Sequence, residues 1–286
     1  MSPSVLFVLS DLDPVARAVG ELWGTPASTG WHVDGASVRE LGSGRYLLRR
    51  AGRHVEDERL DGRLPEALRA QRPTLAFPSI HRSEQGILSL TVHPLGNVGP
   101  RAEVGGRGGA LVPTDPRRMT ATLRLLAEGA TALGLPASFE ATHHGPYVEL
   151  PAFFAEIGIG PAAAPTPESA RLLAHALLEA ADDPSDRVVL GVGGGHYAPH
   201  FTELALDRRF AFGHLISRHA QVHADSGTAQ DAWRLTPGAT GILFARAEDA
   251  RHPVWASVGP RARDRDAPRR SVPGPPTDAS SPSAGT

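Results

Sequence analysis

Short, continuously apolar runs alternate along this chain with stretches of helical period. Val-Leu-Phe-Val-Leu at 5–9 has no polar position and two β-branched residues, the pattern of a strand buried on both faces. Asp13-Pro14 follows as N-cap and first helical residue, which predicts a helix over 14–22. The stretch 24–53 alternates weakly and holds one strand-like triplet, Tyr46-Leu47-Leu48. Further strands are predicted at 74–78, 88–93, 133–139, 187–192 and 241–244, with an apolar run at 153–157 and a strand-to-loop unit at 210–217. Met119, Leu123, Leu126, Ala130 and Leu133 recur at helical spacing and predict a helix over 116–133. A second helix is expected over 167–181, with Thr166 as N-cap and an apolar face of Ala170, Leu173, Ala174 and Leu177.

This alternation predicts an α/β fold: one mixed, largely parallel sheet flanked by helices. The glycine-rich stretch 96–109 reads as a loop over a site, because apolar structure resumes directly after it. Periodicity stops at 261, where Arg and Asp give way to Pro, Ser, Gly and Ala. We therefore expect a single domain over 1–260 and a disordered tail over 261–286.

The histidines follow this pattern closely. His81, His93, His143, His196 and His214 each fall at or just after the end of a predicted strand. In a parallel sheet those ends gather on one edge, where ligands bind. The stretch Glu140-Ala-Thr-His143-His144-Gly-Pro-Tyr147 stands at the centre of the set. An isolated His-His pair is most simply two solvated side chains. Convergence of five strand ends shifts the reading to a metal site.

Composition narrows the chemistry. The chain has no cysteine, which removes disulfides, thiolate nucleophiles and Cys-type metal sites, so any metal must be held by His and carboxylate. It has no lysine either, and all 29 basic residues are arginine. That excludes a Walker-type lysine and Schiff-base chemistry. The net charge of -2 offers no overall basic field for nucleic acid, though a local patch is compatible with it. No window approaches the length of a membrane span, and a cytoplasmic protein is expected.

Several residues are candidates for the site. His81-x-x-Glu84 could bring an imidazole and a carboxylate to one ion, with His143, His144 or His196 adding a ligand from a distant strand. The spacing alone is common by chance. Glu140 and Glu156 are candidates for a general base or for a carboxylate that orients a ligand. Gly193-Gly194-Gly195 before His196 and Tyr197 resembles a turn whose bare N–H groups bind an anion, but it lacks the Gly-Lys-Ser/Thr ending of a P-loop.

Taken together, the blocks match a family. Ser79-Ile-His81-Arg-Ser-Glu84, Leu90-Thr-Val-His93-Pro with Gly96-Asn97, Glu140-Ala-Thr-His143-His144-Gly-Pro, Phe154-Ala-Glu156-Ile-Gly158, Gly191-Val-Gly-Gly-Gly-His196-Tyr-Ala-Pro199 and Gly213-His214 stand in order. The series resembles the archaeal and plant type of D-aminoacyl-tRNA deacylase, from about Val5 to the strand at Ile242. The resemblance implies a fold like the phosphorylase/peptidyl-tRNA hydrolase group. It also implies hydrolysis of the ester of D-aminoacyl-tRNA by zinc-activated water, releasing free D-amino acid and tRNA. Under it, the expected catalytic residues are Glu140, His143, His144 and Glu156. The expected substrate contacts are Gly193, Gly194, Gly195, Tyr197 and His214. One or two zinc ions are expected on His81, Glu84, His144 and His196, the first two by analogy with zinc carboxypeptidases, which bind metal through His-x-x-Glu and a later histidine. The expected partner is the acceptor end of a D-aminoacyl-tRNA, with no DNA, no membrane and a monomeric protein. One block departs from the family: after Gly158 the chain continues Ile159-Gly160-Pro161 and an Ala/Pro run where members carry Ser and an acidic segment. Competing readings are a zinc-dependent peptidase or amidohydrolase on a small peptide-like substrate, and a non-catalytic tRNA-binding module.

Overall fold

The computed structural model describes residues 4–82, 88–160 and 164–270. β1 (Val5–Ser10) lies inside an eight-stranded sheet and is buried along its whole length. Its alternate residues feed two cores. Val5, Phe7 and Leu9 join Val15 and Val19 of α1 (Pro14–Leu22) on one face, whereas Leu6 and Val8 pack with Leu60, Phe77 and Phe154 on the other. Asp13 caps α1 by accepting from Val15 and Ala16 N–H, and Pro14 opens the helix, as the sequence predicts.

The sheet continues with β2 (Ala27–Val33), β3 (Ala36–Gly42) and β4 (Arg45–Arg50), an antiparallel meander beside β1. Only β4 is legible in the sequence, because β2 and β3 lie at the sheet's edge and bury few side chains. The short helix α2 (Glu66–Arg69) precedes β5 (Thr74–Arg82). Then come β6 (Ser89–Pro94), the long helix α3 (Pro116–Leu133), β7 (Ala137–Phe139), β8 (Ala152–Ile159) and α4 (Pro167–Glu179). The spatial order is β2-β3-β4-β1-β5-β8-β6-β7. β5 and β8 run parallel, but β6 enters between β8 and β7 in the antiparallel sense.

The sequence predicts one sheet, whereas the last strands form a second, three-stranded parallel one. It contains β9 (Arg187–Val192), β10 (Phe210–Ile216) and β11 (Ile242–Phe244), in the order β10-β9-β11. The two sheets meet where the chain leaving β7 hydrogen-bonds β10, Thr142 N–H donating to Leu215 O at 2.7 Å. Helices α5 (Pro199–Asp207), α6 (Arg218–Gln221) and α7 (Ser226–Arg234) complete this half. Among the described residues the α/β class and the mixed, largely parallel main sheet are as the sequence predicts.

One buried pair pins the second sheet to α3. The Arg124 guanidinium binds the carboxylate of Asp186 and also donates to the carbonyls of Ala205, Arg208 and Phe210. Removing the carboxylate would strand a buried cation, so Asp186→Ala is expected to destabilise the fold by about 3–5 kcal/mol. Chemical denaturation would measure this, and a loss under about 1 kcal/mol would show that the pair is not buried as described.

The chain from 261 to 270 is not a free tail. Ala262 N–H donates to Ile242 O, Arg209 N–H to Pro268 O, and Ala262 and Ala267 are buried in the main core. The packed chain therefore continues past the expected boundary at 260 through Arg270, and residues 271–286 of the expected tail lie outside the described ones. No described helix is long and apolar enough to cross a membrane.

Candidate metal centre

Strand register determines where the histidines meet. Glu156 of β8 stands level with Ser79 of β5 and with Thr91 of β6. His81 lies two residues beyond Ser79, and His93 two residues beyond Thr91. Because β6 is antiparallel, those steps run in opposite directions from Glu156, and the period-two alternation keeps all three side chains on one face. The expected gathering at one sheet edge is thus corrected: the site lies across a sheet face, centred on Glu156. Its carboxylate is 3.3 Å from His81 Nδ1 and 3.6 Å from His93 Nε2.

The stretch after β7 supplies the other wall. Glu140 N–H donates to Val92 O, Ala141 N–H to His196 O and Thr142 N–H to Leu215 O, so three neighbouring elements fix its backbone. His144 adopts φ +40° at the bend before the cis Gly145-Pro146 bond. Glu140 is fully buried, and among the described residues neither of its carboxylate oxygens has a hydrogen-bond partner. Three imidazoles surround it: His196 Nε2 at 3.3 Å, His81 Nδ1 at 3.5 Å and His143 Nε2 at 3.7 Å. A buried carboxylate without a donor is costly, and it is the kind of group that a cation completes.

Ligand atoms gather in three overlapping groups, each with all atoms within 4.8 Å: His93 with His143 and His144; Glu140 with His143 and His196; His81 with Glu140 and Glu156. Hydrogen bonds at the far side of the rings set their tautomers. Nδ1–H of His143 donates to Ala141 O at 2.8 Å, that of His144 to Gly145 O at 2.6 Å, and that of His93 to Pro94 O at 3.2 Å. Nε2 of His143 and of His144 is then free to present a lone pair inward, as metal-ligating histidines require, whereas Nε2 of His93 faces the Glu156 carboxylate.

Electrostatics divide the set. Burial alone would raise the Glu156 carboxyl, but the imidazoles of His81 at 3.3 Å and His93 at 3.6 Å outweigh this and hold it well below the usual carboxylate range. The hydrogen bond to Glu156 raises His81. His93 is also raised: complete burial pushes it down, and the Glu156 carboxylate 3.6 Å from its Nε2 more than compensates. Burial, then the neighbouring imidazoles, push His143 well below its ordinary value, and His144 falls to about 4 for the same reasons. Neutral rings at His143 and His144 beside an ionised Glu156 are what a divalent ion needs.

The predicted residues fare unequally. Glu140, His143, His144, Glu156, His81 and His196 come together, and Tyr197 joins them with its hydroxyl 3.3 Å from His81 Nε2. Glu84 lies outside the described residues. His214 is completely buried beneath the stretch after β7, its Nδ1 3.0 Å from Thr142 Oγ1, so it supports that backbone and does not face a substrate. Gly193 is not an anion cradle: its N–H already donates to Ile216 O, and it is glycine because φ is +100° and the Asp249 side chain occupies the space a Cβ would need. Gly194 is half-buried and Gly195 exposed. His93 was not assigned as a ligand, although its place at a strand end before Pro94 was the available signal.

A cavity of about 380 Å³ opens beside the cluster. Glu156 and His144 form one wall, and Ser10, Asp13, His54 and Ile80 line the rest. Asp13 does more than cap α1: its second oxygen accepts from Ser79 Oγ at 2.9 Å and Ile80 N–H at 3.0 Å, which fixes the end of β5 just before His81.

With this geometry in place, comparison with known proteins is informative. A family model described as D-aminoacyl-tRNA deacylase matches residues 69–253. The chain is 36% identical over 170 residues to a D-aminoacyl-tRNA deacylase of Thermoplasma volcanium, covering 59% of this chain and 65% of that one. It is 42% identical over 173 residues to one of Methanoregula boonei, covering 60% and 37%. A third, from Pyrococcus horikoshii, is 35% identical over 168 residues, covering 57% and 61%. The chain thus spans less than two thirds of these relatives' length. Its fold is similar to the crystal structure of AF0625, a conserved protein of unknown function, with a TM-score of 0.81, 25% identity, and coverage of 95% of this chain and all of that one.

Proposed function

Because the chain belongs to the D-aminoacyl-tRNA deacylase family, we propose that it hydrolyses the ester joining a D-amino acid to the terminal ribose of tRNA. The matched region spans every clustered residue from His81 to His196, so the site falls within the part shared with the family. The observation that carries the proposal is Glu140: a carboxylate sealed from water, without a hydrogen-bond donor, amid imidazoles.

Glu140, His143 and His196 would hold a zinc ion, with His93 and His144 beside them for a second. Two imidazoles and a carboxylate match a hydrolytic zinc set. When bound, zinc supplies Lewis acidity that activates water and polarises the ester carbonyl. His81 and Glu156 are better suited to moving protons than to holding the metal, because each already partners the other at 3.3 Å. Glu156, ionised, accepts the proton of the attacking water. His81, whose protonated form is favoured, returns one to the ribose oxygen as the carbon–oxygen bond of the ester breaks. The products are the free amino acid and a restored ribose hydroxyl. Tyr197 steadies the His81 ring from its outer side. The cavity beside Glu156 and His144 is large enough for an amino-acid side chain and is the place where one hand of the acyl group would be refused.

The test is release of amino acid from D-tyrosyl-tRNA and L-tyrosyl-tRNA by zinc-loaded protein. D-Tyrosine should be freed at least about 100-fold faster than L-tyrosine. Equal rates, or release of neither, would refute the proposal.

A further inference from the structure

A second recess lies between the chain after β11 and the segment 261–265, and its lining is basic. It measures about 580 Å³ and carries Arg208, Arg246, Arg261, Arg263 and Arg265 around the ring of Phe244, with Asp264 its one carboxylate. Arg261 stacks over Phe244, its guanidinium carbon 5.6 Å from the ring centroid. This is a strong local reversal in a chain whose net charge is -2.

The recess is tied to the candidate metal centre by adjacent strands. β11 pairs in parallel with β9, Phe244 standing level with Val192. Ala245 N–H donates to Val192 O, just before the glycine turn that delivers His196. On the far side of that turn, His200 reaches Asp264 at 3.9 Å. His196 is exposed, and the acyl-sized cavity against Glu156 and His144 shares no lining residue with the recess.

We propose that this arginine recess binds the phosphodiester backbone of the RNA acceptor strand, with the Phe244 ring as a stacking surface for a base. The inference rests on the deacylase reading, and it gives the ester a direction: acyl group into the cavity, nucleic acid over the arginines. Planar guanidinium groups bind phosphate oxygens through paired N–H donors, and an aromatic ring among them takes an unpaired base. It also accounts for how a chain without lysine and with net negative charge holds a polyanion: the affinity is local.

Arg246, Arg263 and Arg265 are the residues to change, since they are exposed at the recess. Arg208 and Arg261 donate to the carbonyls of Ala267 and Ala250 and help hold the segment in place, so they are left intact. In the R246A/R263A/R265A variant, with its melting temperature verified, the Kd for uncharged tRNA should rise at least about tenfold, and the slope of log Kd against log salt should fall by about three. KM for D-tyrosyl-tRNA should rise in step, while hydrolysis of D-tyrosyl-adenosine, which has no phosphate, stays at the parent rate. Unchanged tRNA affinity and salt slope in a folded variant would overturn the proposal. Equal loss on the tRNA and adenosine substrates would overturn it too, by placing the damage at the metal centre. If the parent protein binds tRNA through these arginines but hydrolyses neither ester, the recess stands and the deacylase reading falls.

Discussion

Replacing Glu140 with glutamine is expected to reduce D-aminoacyl-tRNA hydrolysis by about 1000-fold or more, a loss typical of removing a group on which a catalytic ion depends. The expectation follows from the surroundings of this one carboxylate. It is sealed from solvent, neither oxygen accepts a hydrogen bond, and its nearest polar atoms are ring nitrogens of His81, His143 and His196 at 3.3–3.7 Å. The amide keeps the shape and loses the charge, so the variant should fold while its zinc content, measured by elemental analysis, falls below one tenth of the parent's. Stripping the parent with a chelator should bring it to the same activity, and zinc should restore the parent but not the variant. Retention of activity within tenfold, with zinc still bound, would remove Glu140 from the site and leave the imidazole cluster unexplained.

How far the residues alone could lead depended on what each element buries. β1, β5, β8 and β9 are buried on both faces over most of their length, so their sequences contain apolar runs that can be read directly. β2 and β3 are half exposed and carry no such run. The histidines at strand ends were visible, but their arrangement was not, because it depends on the direction of β6. An antiparallel strand looks the same in sequence as a parallel one, yet it turns an edge site into a face site with Glu156 at its midpoint. The same blindness explains His214. It lies inside the apolar strand β10, and the stretch after β7 covers it completely. Long-range pairing, which local pattern does not encode, separates a ligand from a buttress.

That buttress should make the protein acid-labile. His214 is wholly buried, and its pKa is pushed down to about 3 by loss of hydration, so the fold accepts only the neutral ring. The unfolded chain takes up its proton near the ordinary value of 6.5. A group whose folded pKa is depressed in this way contributes its stability in full above 6.5, and that stability drains away as pH falls towards 3. The slope is about 1.4 kcal/mol per pH unit for the excluded proton. His144, lowered to about 4, adds to the trend in the metal-free protein. His81 and His93 act in the opposite sense: their protonated forms are favoured, so their contribution is present below 6.5 and fades as pH rises through their raised values. The histidine terms that fail in acid are therefore those of His214, His143, His144 and His54, and of these His214 and His54 lie away from the metal-ligand groups. Denaturation of metal-free protein at pH 7.5, 6 and 5 should show a falling midpoint, and His214→Leu should flatten the fall even though it lowers stability at pH 7.5. A variant with the parent's slope would show that the His214 proton is not excluded, and that the ring reaches water through an opening beneath Thr142.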